Sequence, residues 1–227
     1  RLPCISGKDS MKNDAMLDGE KISVPPTLLF SLLGNHKDVR RAVSSDFKNP
    51  GDAIFLVGET HQEIGASELS YMLREEGKGG IGGAVPEIDP HRNMAAYRAL
   101  SSAMTDELVA SAHDCSDGGL AVTLAECCFG SDSGAMLDIA PLWSDCEHLD
   151  IWGALFGESL GRILVSTSPD DKEAFMDSMI GVTCHYLGEV SDDDVISFCR
   201  EGDEVLNASM QALRKLWKGT LYGGDEF

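Results

Sequence analysis

The stretch His113-Asp114-Cys115-Ser116-Asp117-Gly118-Gly119-Leu120 decides how this chain is read. Ahead of it, Leu108 to His113 has the length and apolar content of a strand, and behind it Leu120 to Phe129 carries apolar residues and Glu126 in the manner of a buried helix. A carboxylate, a hydroxyl and two glycines therefore converge where a strand feeds a helix N-terminus. Glycines let a ligand approach the backbone, the first helical N–H groups lack partners, and an aspartate oxygen is a hard ligand for the Mg that accompanies ATP. The same residues have an everyday use as well, in which Ser116 or Asp117 simply caps the helix. Spacing alone leaves both uses open.

Outward from this turn, the pattern alternates between short apolar runs and helical stretches. Thr27 to Leu33, ending at Gly34, and Ala53 to Val57, ending at Gly58, read as two buried strands. A polar connection with the turn Asn49-Pro50-Gly51-Asp52 joins them. Leu69, Met72 and Leu73 suit a helix over 66–76 that Gly77 stops, with a flexible loop from Gly77 to Gly83. A second helix starts after Pro90, with Met94, Tyr97, Leu100 and Met104 on one face. Further on come a helix over 146–156, a strand over 162–167, a helix over 170–179, strands over 185–190 and 195–199, and a last helix ending near Trp217. This order predicts an α+β fold in which helices layer on a mixed, largely antiparallel sheet. The first residues read as a strand entering a Gly turn and lack the zones of a signal peptide, so the chain is expected to begin in mid-protein. Pro25-Pro26 marks a boundary between residues 1–24 and 25–227.

Composition narrows the function classes. A formal net charge of −20, from 18 basic against 38 acidic residues, argues against a nucleic-acid partner, because phosphate backbones need clustered Lys and Arg. Small phosphorylated ligands stay open, since a bound Mg ion and backbone N–H groups reverse the local field. The absence of a long apolar run argues against a membrane span. Cysteines at 4, 115, 127, 128, 146, 184 and 199 lack paired CxxC spacing and read as reduced, cytosolic thiols, with Cys127 and Cys128 packed in a core. The histidines other than His113 show no metal-binding spacing, and Ser191-Asp192-Asp193-Asp194 reads as a solvated turn, not a calcium loop.

Two further segments could carry chemistry. Ser6-Gly7-Lys8-Asp9-Ser10-Met11-Lys12-Asn13-Asp14 sets a cation beside a turn glycine, a hydroxyl and a carboxylate, without the spacing of a Walker A loop; a solvated turn is the alternative. Leu155-Phe156-Gly157-Glu158-Ser159-Leu160-Gly161-Arg162 puts Glu, Ser and Arg in a short link between helix and strand. This link either binds a ligand or is closed by a Glu158–Arg162 ion pair.

Taken in order, SGKDSMKND, PPTLLFSLLG, DVRRAVSSDFKNPGD, HDCSDGGLAVTLAE and LFGESLGRILVS resemble the phosphoribosylformylglycinamidine synthase family over most of the chain. The resemblance implies a C-terminal domain of the aminoimidazole ribonucleotide synthetase superfamily over 25–227, preceded in 1–24 by the end of an N-terminal-type domain. It implies a cytoplasmic ligase of purine biosynthesis in which ATP activates the amide of formylglycinamide ribonucleotide and glutamine-derived ammonia gives the amidine. These 227 residues would not turn over alone. The remaining domains of the synthase, and a glutaminase domain or subunit, are the implied partners.

By the same resemblance Asp114 is similar to a Mg ligand and Ser116 to a contact with ATP or ADP. Gly7 and Ser10 match a turn that reads GNxS in small family members, touching nucleotide and substrate respectively. Lys8 stands where those members have an Asn that meets Mg; a charged lysine cannot ligate Mg, so Lys8 reads as a phosphate contact. Glu158 and Ser159 resemble a substrate-contacting Glu-Ser pair. An alternative keeps the nucleotide and drops the chemistry, making the region a scaffold around an auxiliary Mg-nucleotide. Other synthetases of the superfamily are disfavoured by GKDSM together with DCSDGGL.

Overall fold

A computed structural model describes residues 14–23, 31–36, 38–78 and 82–222. The chain falls into two units that meet at Arg40 and Arg41. In the first, strands β1 (Ala15–Leu17) and β2 (Glu20–Ile22) form an antiparallel hairpin. Its turn, Asp18-Gly19, has φ of 51° and 84° at the two positions, the backbone that matches the twist of paired strands. Of the strand expected over 27–33, residues 27–30 lie outside the described residues, and Ser31 to Leu33 carry no regular structure. The expected opening strand and the boundary between residues 24 and 25 also lie outside them.

The second unit is built on a seven-stranded sheet. Its strands are β3 (Ala53–Val57), β4 (Ser111–Asp114), β5 (Gly134–Asp138), β6 (Ile163–Thr167), β7 (Cys184–Ser191), β8 (Val195–Arg200) and β9 (Asp203–Ser209). They lie in the order β4-β6-β3-β7-β5-β8-β9, and every neighbouring pair is antiparallel except β5 with β8. The sheet is mixed and largely antiparallel, as the alternation of elements predicts.

Strand β3 shows why its sequence is a continuous apolar run. Ile54 and Leu56 pack with α3 (Gly119–Phe129) and α4 (Ile151–Phe156) on one face. Ala53, Phe55 and Val57 pack with α2 (Pro90–Thr105) and α5 (Lys172–Ser178) on the other. All five residues are buried, so there is no solvent face to call for polar residues at alternate positions. Helix α6 (Met210–Tyr222) adds Met210 to the α3 side.

Local chemistry sets the helix starts. Ser67 caps α1 (Glu68–Glu75) by accepting from the Ser70 N–H, and Asp89 caps α2 by accepting from the His91 and Arg92 N–H groups ahead of Pro90 at the first turn. The helix expected over 146–156 begins only at Ile151, because Asp150 accepts from the Gly153 N–H and caps it there; a short 3-10 turn, Ala140–Ser144, precedes it. The last helix runs past Trp217 to Tyr222. Cys127 and Cys128 are packed in the core, and burial pushes the Cys128 thiol up to about 12. Among the described residues, no helix is long and apolar enough to cross a membrane.

Candidate functional site

Sheet pairing brings distant segments to one end of the molecule's second unit. Strand β4 is an edge strand, antiparallel to β6, with Asp114 opposite Ile163, and the Cys115 N–H continues the ladder by donating to the Arg162 carbonyl at 2.9 Å. Strand β3 borders β6 on its other side, with Val57 opposite Ile163. The residues after β4, before β6 and after β3 therefore emerge together.

The turn after β4 differs from a side-chain cap. The residue before α3 is Gly118, with φ of +79°, and no side chain caps the helix, so neither Ser116 nor Asp117 takes that role. Instead the Gly118 N–H donates to Glu158 Oε1 at 2.9 Å, and the same oxygen accepts from the Glu68 N–H at the start of α1, also at 2.9 Å. Glu158 thereby places one carboxylate at the positive ends of two helices. Gly119, with φ of +64°, lies so close to the end of α4 that a Cβ would stand 2.5 Å from the Gly157 carbonyl oxygen.

Asp114 and Ser116 face outward. The Ser116 hydroxyl donates to Asp114 Oδ2, and this bond, ahead of a nearby His113, holds the Asp114 carboxyl below the usual carboxylate range against a partial opposing effect of burial. The side chain of Asp114 is 73% exposed. His113 lies between two acids, 3.5 Å from Asp114 Oδ1 and 3.2 Å from Glu126 Oε2. Asp114, Ser116, Asp117, Glu158, Arg162 and Tyr97 line an open cleft of about 480 Å³.

The segment before β6 is built inward. Arg162 is 1% exposed, and its guanidinium donates to the Gly157 carbonyl, to the Ser159 carbonyl at 3.4 Å and to Thr60 Oγ1 at 3.2 Å. Burial pushes its pKa down, opposed by Cys115 and by the carboxylates of Glu63, Asp145 and Glu158. Ser159 is equally buried; its Oγ accepts from the His61 N–H at 3.0 Å and donates to the His61 carbonyl at 3.4 Å. Glu158 and Arg162 thus brace the link through backbone groups, and the ion pair between them that could have closed it does not form among the described residues. Gly7, Lys8 and Ser10 lie outside the described residues.

Residues 49–199 match the family model described as AIR synthase related protein, C-terminal domain. The chain belongs to that family. Among solved structures, the domain resembles PurL of Thermotoga maritima in complex with FGAR, with a TM-score of 0.66 and 20% identity over 77% of this chain and 30% of that one. PurL of the same organism in complex with ATP gives a TM-score of 0.61 at 22% identity, over 77% of this chain and 27% of that one. The hydrogenase maturation protein HypE in complex with ATP gives 0.51 at 18%, over 75% of this chain and 54% of that one. At these identities the likeness is one of fold, and the chain spans less than a third of the PurL chains it matches.

Within this AIR synthase related domain, the structure brings Asp114, Ser116 and Glu158 to one cleft and keeps the Ser159 side chain out of its lining. Tyr97, from α2, joins that lining; as one apolar position of a helical face it carries no sequence signal for a site. Among the described residues, no group of three or more His, Cys, Asp or Glu side chains is arranged to hold a metal ion. An exposed, readily ionised Asp114 beside an open cleft still fits Mg, which keeps several waters and takes one or two carboxylates together with phosphate oxygens.

Proposed function

We propose that this chain is the C-terminal synthetase-like portion of a phosphoribosylformylglycinamidine synthase, and that the cleft beside α3 is one wall of a Mg-nucleotide site. The observation that carries this reading is the outward-facing Asp114–Ser116 pair at the mouth of a cleft, within a domain of the AIR synthase related family. Asp114 would hold Mg, and Ser116 would meet the ATP or ADP it accompanies. Bound there, Mg offsets charge on the phosphate oxygens. Glu158 lines the cleft and remains the substrate-side candidate, whereas the Ser159 hydroxyl is engaged by the backbone of His61. By resemblance Gly7 and Lys8 remain candidates for nucleotide contact and Ser10 for substrate contact, with the other domains of the synthase and a glutaminase domain or subunit as partners in the cytoplasm.

The PurL structures with ATP and with FGAR support this reading by fold. With the full-length protein, formylglycinamide ribonucleotide and an ammonium salt, ATP cleavage dependent on that substrate is expected. Its absence from a folded full-length protein would sink the assignment.

A second reading makes the cleft an auxiliary nucleotide site with a scaffolding role. It is favoured by the way the turn's polar groups are tied to one another: the Ser116 hydroxyl is engaged by Asp114, and His113 lies between Asp114 and Glu126. Asp114→Ala in the full-length protein separates the two. Unchanged turnover per folded molecule with reduced stability in the presence of nucleotide supports the scaffold, and lost turnover at unchanged stability supports catalysis.

A further inference from the structure

Behind the link 157–162 a chain of hydrogen bonds leads away from the cleft to β7. Arg162 donates to the Gly157 and Ser159 carbonyls, which flank Glu158, and to Thr60 Oγ1 at 3.2 Å. One guanidinium thus holds the backbone on both sides of the residue whose carboxylate braces the Asp114 turn. Thr60 is held in its turn by Asp145, whose Oδ2 accepts from the Thr60 N–H at 2.9 Å. Asp145 Oδ1 meets His185 Nε2 at 2.8 Å. An ionised carboxylate only accepts, so the imidazole is the donor.

This relay runs through the interior. Thr60 and Arg162 are buried, and the side chains of Asp145 and His185 are 5% and 14% exposed. Its far end is anchored on both sides. His185 stands opposite Leu56 where β7 pairs with β3, and Asp145 follows the 3-10 turn whose Leu142 is buried and whose Trp143 ring lies against the Arg200 guanidinium. Burial works against the Arg162 charge, and Asp145 is among the carboxylates that oppose it. A buried ionic network adds little net stability over apolar packing of the same volume, so the use of this one is to be sought in the geometry it fixes.

We propose that Asp145 and His185 are positioning residues for the cleft: acting through Thr60 and Arg162, they set where Glu158 presents its carboxylate, and with it the shape of the Asp114 turn that the ligand meets. Glu158 Oε1 serves the Gly118 and Glu68 N–H groups at 2.9 Å each, so a shift of the link loosens both helix starts together. Taking the ligand to be a Mg-nucleotide rests on the function proposed above; the relay itself does not.

The test uses the full-length protein, with hydrogen exchange read by mass spectrometry on peptides holding Glu68 and Gly118 and on the paired strands β8 and β9, which the relay does not touch. In Asp145→Ala, exchange at Glu68 and Gly118 is expected to rise about tenfold while β8 and β9 stay as in wild type. Asp145→Asn, whose amide oxygen still accepts from the Thr60 N–H, should return exchange to within about threefold of wild type. Mg-ADP, as the probe of the cleft, should bind roughly tenfold more weakly to Asp145→Ala and recover in Asp145→Asn. His185→Ala, which frees Asp145 Oδ1 without touching Thr60, gives the same selective pattern in smaller measure and decides the matter should Asp145→Ala fail to fold. Exchange unchanged at Glu68 and Gly118, exchange raised equally in β8 and β9, or an Asn variant no better than the Ala variant overturns the proposal. The exchange arm needs no ligand, so it decides the positioning even where Mg-ADP fails to bind the wild type, an outcome that would overturn the nucleotide reading instead.

Discussion

The two segments that meet at the cleft are held in opposite ways. The link 157–162 points its polar groups inward: Arg162 and Ser159 are almost wholly buried, Arg162 binding the Gly157 and Ser159 carbonyls and the Thr60 hydroxyl, and Ser159 the His61 backbone. The turn 114–118 points Asp114 and Ser116 outward, where their hydroxyl and carboxylate bind each other. Glu158 joins the two, one carboxylate oxygen serving the turn and the start of α1. The contrast separates frame from working surface. The inward residues should govern stability and the outward ones ligand binding, and substitutions can break that division.

The largest effect is expected from Arg162→Leu. It leaves the buried acid Glu63 without its nearby cation and two carbonyls without donors, which should lower unfolding free energy by about 4 kcal/mol in urea titrations. A loss under about 1 kcal/mol would mean that the link is not the frame. Gly119→Ala comes next, at about 3 kcal/mol, because a Cβ there meets both a left-handed backbone and the Gly157 carbonyl. Glu158→Ala should cost about 2 kcal/mol by stripping the acceptor from two helix starts, and Glu158→Gln should recover part of it, since an amide oxygen still accepts.

Asp114→Asn should change stability least, by under about 0.5 kcal/mol, yet should weaken Mg-nucleotide binding most. Its pH dependence has a definite sign. Ser116 depresses the folded-state pKa of Asp114, so whatever stability this provides is present above the ordinary carboxylate range and fades as pH falls through the lower folded value. In the Asn variant that acid-side change should shrink, as read from unfolding curves between neutral and acidic pH.

Much of the fold was legible because its core elements are patterned simply. Strand β3 is a bare apolar run stopped by Gly58, and α2 follows Asp89-Pro90, a cap and a first-turn proline. Strands β5 and β9 were not legible. Met136 of β5 is exposed between buried neighbours in a run that opens on Gly134, and β9 is a polar edge strand, so neither resembles a core strand. Asp18-Gly19 did carry a hairpin signal, but the flanking runs of three residues are too short to read as strands.

The site divides along the same line. Asp114, Ser116 and the two glycines are contiguous, so their turn could be read directly from the sequence. The role of Glu158 could not, because its partners lie in two other segments and are backbone N–H groups that any residue supplies.

The reach of Glu158 also fixes when the cleft can exist. Its hydrogen bonds cross 40 positions to Gly118 and 90 to Glu68, contacts whose loops must close before they repay the lost chain entropy. During synthesis the Asp114 turn leaves the ribosome well before the residue that braces it. A nascent chain stopped short of Glu158 would hold every atom of the turn yet lack its geometry, so ligand binding at the cleft would time-stamp completion of this half of the sheet.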